Sequence, residues 1–219
     1  MANRLCSEWE HDKRTEDEHS VYTDKNFYGR PQDFPDYPLT HVERVRDRER
    51  QKKGIDIIAF YLGMKIFIDE KAAIAYARKL LLTFAFEILS GATDTIGWFL
   101  NDNLATTHYM LFWVRASIDD KTKLLEGHFG NCEAMLIDKK KLRNVVLELI
   151  GMTADELYQK AKECKHNTPS GCIRLSSGIY LKSSPEYHES PVNLVVDKGI
   201  LSQLAEWSGH IVHTPELLE

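Results

Sequence analysis

Three charged residues stand at the ends of two short apolar runs. Asp56 opens Ile57-Ile58-Ala59-Phe60-Tyr61, and Asp69-Glu70-Lys71 closes Met64-Lys65-Ile66-Phe67-Ile68. The runs meet at Leu62-Gly63 and read as two strands of a hairpin. Side chains alternate faces along a strand, so Asp69 and Lys71 share a face and Glu70 points away from them. Antiparallel pairing sets Asp56 beside Asp69, which gathers two carboxylates and an ammonium at one end of a sheet. Such a group suits a hard divalent cation. Mg²⁺ commonly takes one or two protein carboxylates and leaves positions for water and a substrate phosphate. In the competing reading, Asp56 is a turn residue after Gly54, and Asp69-Glu70 caps a following helix. Burying carboxylates without a partner is costly, which favours the site.

This pattern resembles the core of the PD-(D/E)XK, or restriction-endonuclease-like, nuclease superfamily over residues 12 to 116. Asp56 matches the first motif acid, Asp69 the second and Lys71 the lysine; Ile55 stands where the family often has proline. The resemblance implies a central mixed β-sheet flanked by helices. It also implies hydrolysis of phosphodiester bonds in DNA or RNA, with DNA favoured. Asp56 and Asp69 would hold Mg²⁺ or Mn²⁺, and Lys71 would orient water or stabilise charge on the phosphate. The family's opening helix supplies a further acid. Glu18 is the expected residue, because it shares a helical face with Val21 and Tyr22; Glu16 is less well placed. Glu43 or Glu49 replaces it if the segment around residues 42–46 is helical.

A basic segment precedes Asp56. From His41 to Lys53 it carries six Arg and Lys residues against three acids, in a chain whose net charge is −5. Arg44, Arg46 and Lys52 are candidate phosphate contacts and Gln51 a hydrogen-bonding group at the site. An overall negative charge argues against non-specific coating of nucleic acid but not against a local basic surface.

The elements that must position these residues follow from pattern. A helix is expected through about Tyr28, from the spacing of Glu18, Val21, Tyr22 and Lys25, and Gly29-Arg30-Pro31 ends it. Strands are expected at Val42–Arg46, at the two runs of the hairpin, at Thr83–Ile88, at Ile96–Leu100 and at Tyr109–Arg115, with a helix from about Glu70 to Leu82. Trp98, Phe99, Phe112 and Trp113 are expected in the core. The order is α/β. It divides into a nuclease-like core over 1–116 and a C-terminal α+β extension over 117–219.

In the extension, Ala134–Lys139 and Asn193–Lys198 each read as an apolar strand ending in Asp-Lys and entering a short helix. Thr153 and Glu156 form a capping box for a helix over Asp155–Lys165. Ile173–Leu175 and Ile179–Lys182 suggest a hairpin. Two further candidates are a Cys164, His166 and Cys172 zinc site, whose spacing fits no ordinary zinc pattern, and His128 as a general base without a nucleophile motif.

At 219 residues, with 43% hydrophobic and 28% charged content, the chain reads as globular. No run is long enough to span a membrane. Four scattered cysteines and a polar start point to a reduced, cytoplasmic setting. Two-fold pairing into a homodimer suits a nuclease that cuts both strands. The other function class is a non-catalytic nucleic-acid-binding or interaction protein on the same fold.

Overall fold

A computed structural model of the chain describes residues 2–74, 81–90, 94–118, 125–167, 170–185 and 190–211. In chain order its elements are α1 (Ala2–Thr23), β1 (Leu39–Arg44), α2 (Arg48–Gln51), β2 (Ile57–Tyr61), β3 (Met64–Ala72), β4 (Thr83–Ser90), β5 (Thr95–Ile96), β6 (His108–Ala116), β7 (Phe129–Asp138), α3 (Lys139–Ile150), α4 (Ala154–Asn167), β8 (Cys172–Ser176), β9 (Ile179–Ser183), β10 (Val192–Asp197), α5 (Lys198–Leu204) and β11 (Trp207–Ile211). A π-helical turn, Asp24–Tyr28, extends α1. No described helix is long and apolar enough to cross a membrane.

The fold is α/β with two sheets. One is mixed, in the order β1-β2-β3-β6-β7-β11, with β3 and β6 parallel; the other runs β5-β4-β10-β9-β8 with antiparallel neighbours. The centre of the mixed sheet is buried on both faces, and β6 shows why. Tyr109, Leu111 and Trp113 join a core made with β4, β9, β10 and helices α3 to α5. Met110, Phe112 and Val114 join a second core that includes Tyr22 of α1 and Phe27. A strand covered on both sides reads as an unbroken apolar run instead of an alternation, as β6 does.

The division expected at 116/117 does not separate these sheets. β7 and β11, from the C-terminal half, complete the mixed sheet beside β6, while β4 and β5, from the N-terminal half, complete the other. The repeated strand-to-helix pattern is local chemistry. Asp138 and Asp197 each cap the helix that follows, accepting from Lys141 N and Gly199 N at 2.6 and 2.7 Å, which serves amides left unpaired at a helix start. Thr153 and Glu156 cap α4 reciprocally, through bonds of 2.7 and 3.2 Å.

Two expected elements differ. Residues 70–72 continue β3, because Lys71 and Ala72 still pair with Leu111 and Phe112 of β6; residues 75–80 of the helix expected there lie outside the described residues. The strand expected over Ile96–Leu100 stops at Ile96. Leu100 N and Asn101 N both donate to Gly97 O, forming a turn. The backbone of β4 passes so close to Gly97 that a Cβ there would lie 2.3 Å from Glu87 O.

Candidate active site

The hairpin of β2 and β3 sets the first three residues. Ile57 pairs with Ile68, and Asp56 N donates to Ile68 O at 2.9 Å, so the ladder places Asp56 beside the end of β3. Asp56 Oδ2 accepts from Glu70 N at 2.9 Å, which fixes its carboxylate across the hairpin. Lys71 Nζ lies 2.6 Å from Asp69 Oδ1. Gly54, with φ 71°, turns the chain into Asp56. Its carbonyl accepts from Thr106 Oγ1 at 2.7 Å, and a side chain at Gly54 would collide with that hydroxyl. The structure thus brings Asp56, Asp69 and Lys71 together.

The electrostatics of the group are unusual for a surface cluster. Asp69 is buried, and the loss of water pushes its pKa up to about 7; Lys71 pulls it down and Asp56 pushes it up. Burial works against the Lys71 charge, but Asp69, Asp56 and Glu16 outweigh it and raise its pKa, so the ammonium stays charged at neutral pH. A like-charged pair in a dry setting is costly when both members ionise.

A cavity of about 970 Å³ opens over these residues, lined by Asp56, Asp69 and Lys71 on the strand side, by Thr15, Glu16, His19 and Ser20 of α1, and by Trp98. Helix α1 supplies Glu16 where Glu18 was expected. Glu16 lines the cavity and acts on Lys71, while Glu18 Oε2 accepts from Glu126 N at 2.8 Å and is not among the lining residues. The physical reason is helix phase. Tyr22, four residues after Glu18, is fully buried and donates to Gly130 O, so that face meets the segment around 126–130; Val21 is 54% exposed. His19 is buried among the rings of Tyr22, Phe112 and Phe129, and its Nε2 has no hydrogen-bond partner among the described residues. Burial, and the positive charge of Arg44, lower its pKa to about 3.

The four residues expected to contact nucleic acid all line this cavity, each with different neighbours. Arg44 is half-buried at the cavity wall and already engaged: its guanidinium bonds Asp24 Oδ1 at 2.6 Å, Thr23 Oγ1 at 3.1 Å and the carboxylate of Glu70. Glu70, on the opposite face from Lys71, also accepts from Tyr28 Oη at 3.0 Å. Burial pushes its pKa up while Arg44 pulls it down. Gln51 donates to Val45 O at 3.0 Å and so braces the loop before α2. Lys52 pairs with Glu49 at 2.8 Å in an exposed helix contact. Arg46 is exposed at the cavity.

The remaining candidates are structural. His128 Nδ1 accepts from Leu125 N and closes its own turn. His166 is 3.7 Å from Asp94, on an exposed face, and Cys164 is buried. Among the described residues no three His, Cys, Asp or Glu side chains converge as they do around an ion, so a cation at this site would rest on the carboxylates of Asp56 and Asp69. Those two fit one: both are hard oxygen donors, and a positive charge beside them would offset the cost of ionising Asp69.

Comparison of the chain with protein-family models, curated proteins and solved structures gives no match.

Proposed function

We propose that this protein is a metal-dependent nuclease with a restriction-endonuclease-like core, hydrolysing phosphodiester bonds of DNA or RNA. The observation that carries the reading is the buried Asp69 carboxylate, paired with the partly exposed Lys71 ammonium and set beside Asp56 on the floor of a large open cavity. Two carboxylates and an ammonium placed where a solvent-filled cavity meets a dry sheet serve poorly as a fold stabiliser. Desolvating a carboxylate is costly even when it is paired. The order of α1 followed by the β1-β2-β3 meander is also the order the superfamily shows, and it supports the same reading.

Asp56 and Asp69 would hold Mg²⁺ or Mn²⁺. When bound, the ion supplies a water of lowered pKa and neutralises charge on the phosphate. The chain's own residues do the rest. Glu70 N–H fixes the orientation of Asp56. Lys71 has three N–H donors, of which Asp69 takes one; the others reach into the cavity to meet a phosphate oxygen as negative charge builds there. Because the ammonium is held charged, Lys71 acts as an electrostatic stabiliser, not as a base. Glu16 faces Lys71 from α1 and replaces Glu18 as the helix acid of the site.

One feature favours a second reading, a non-catalytic nucleic-acid-binding protein: Asp69 and Lys71 already neutralise each other. The deciding experiment incubates the purified chain with Mn²⁺ and mixed DNA and RNA substrates, with and without EDTA. Cleavage that EDTA abolishes and Lys71→Ala removes supports the nuclease. Nucleic-acid binding with no cleavage supports the second reading.

A further inference from the structure

Trp98 is expected from the sequence to be a core residue, and half of it is. Its indole packs on Phe86 and edge-on to Tyr109, with ring centroids 5.6 and 5.1 Å away. Yet the residue is only partly buried, and it lines the cavity with Lys71 Nζ 5.1 Å from the ring centroid. The ammonium paired with Asp69 stands over this indole in a cation–π contact, so a planar ring can share the aromatic surface alongside it and bring an attached phosphate to Lys71. Three exposed cations line the same cavity: Lys52, which pairs with Glu49, and Lys13 from α1 and Arg46 from the loop after β1, neither of which has an ion-pair partner among the described residues.

We infer that the cavity takes an unpaired nucleic-acid strand, with a base stacked on Trp98 and the neighbouring phosphate at Lys71. This rests on the nuclease reading for the role of Lys71 and adds the substrate class. In a duplex each base is already stacked and paired, so it reaches a recessed indole only by leaving the helix, at a cost in unpairing energy. A single strand presents its bases freely and gains stacking energy on an aromatic wall with little sequence preference. Lys13 and Arg46 would then take flanking phosphates and make binding depend on salt.

The test measures binding of the full chain in EDTA, so that nothing is cut, to a mixed-sequence oligonucleotide and to the blunt duplex of the same sequence. The single strand should bind more tightly than the duplex and quench tryptophan fluorescence. Trp98→Leu, which keeps an apolar packing group but offers no ring, should weaken single-strand binding about 5- to 150-fold, the range for loss of one stacked base. Trp98→Phe keeps a ring, so it should bind within a few-fold of the parent and lose the quench; it covers the case in which the leucine variant folds poorly. Equal binding of duplex, no binding of either, or a quench that survives in Trp98→Phe would overturn the inference. Adding Mn²⁺ separates it from the reading it rests on. A quench without cleavage leaves the strand site standing and removes hydrolysis, whereas cleavage confined to duplex, with no quench, removes the strand site and keeps the enzyme.

Discussion

Arg44 and Glu70 form an ion pair on the face of β3 opposite the Asp69–Lys71 pair, and through it the end of α1 is tied to the hairpin. Adjacent residues of one strand therefore serve different ends. Glu70 holds Arg44, Tyr28 and Thr23 together with its side chain, and its backbone N–H orients Asp56.

Glu70→Ala should consequently act on stability more than on chemistry. Removing one partner of a buried pair leaves the other charge uncompensated. Arg44 keeps Asp24, so a loss of about 3 kcal/mol, the low end for such a break, is expected. The same substitution should leave the Mn²⁺ response of the folded protein in place, because the N–H that holds Asp56 is backbone. Urea unfolding of Glu70→Ala, Arg44→Ala and the double variant checks this. The double variant should lose clearly less than the two singles added together, since each partner's burial is costly only without the other.

Lys71 and Asp69 should separate in the opposite way. Under the proposed nuclease reading, Lys71→Ala removes the charge that would meet the phosphate but leaves both carboxylates that would hold the ion. Turnover should fall about 100- to 1000-fold, as when an electrostatic stabiliser is lost, while Mn²⁺ still raises the melting temperature by mass action. Asp69→Ala should abolish both. Thermal shifts with and without Mn²⁺, beside a cleavage assay, distinguish the two; unchanged turnover in Lys71→Ala would remove Lys71 from the mechanism.

His19 gives the fold a specific sensitivity to acid. Its folded pKa of about 3 lies below the value of about 6.5 in an unfolded chain. Between those values the unfolded state carries a proton that the folded state refuses, so stability falls as pH falls. From pH 7 to pH 5 this one group should cost about 2 kcal/mol. His19→Phe, which retains ring contacts with Phe112 and Phe129, should lose about that much less over the same interval. Comparing each protein with itself at the two pH values cancels any change in packing.

How much of this was legible in the sequence depended on the range of the interaction. The common face of Asp69 and Lys71, and the contrary face of Glu70, follow from a period of two that no partner can alter. The caps at Asp138, Thr153 and Asp197 are equally local. The choice between Glu16 and Glu18 needed the phase of α1, and its buried face is polar: Thr15, His19 and Thr23 are all buried. A stripe of that kind reads as solvent-facing, so the sequence points to the face of Val21 and Tyr22 instead; Tyr22 is buried against the segment around 126–130, away from the cavity, and Val21 is exposed. The two-sheet arrangement was out of reach because β4 pairs with β10, about a hundred residues away. The ion pairs that hold Arg44 were also out of reach, because nothing nearby in sequence announces Asp24 and Glu70 as its partners.

Arg44 and Arg46, two residues apart, therefore make the sharpest comparison. Arg46 is exposed at the cavity, so Arg46→Glu should leave the melting temperature within the small range of surface changes. It should weaken oligonucleotide binding and lower the slope of log K against log salt by about one, the signature of one lost phosphate contact. Arg44→Glu would set a carboxylate against Asp24 and Glu70 in a half-buried cluster, and it should unfold the protein or lower its melting temperature by many degrees before any effect on binding can be read. Arg44→Lys keeps the charge but not the fork that meets two carboxylates at once, and should fall between them. Binding isotherms at several salt concentrations, read beside thermal melts, would show the pattern. A stable Arg44→Glu with a reduced salt slope would mean that Arg44 faces the substrate, and the path of the strand would have to be redrawn through it.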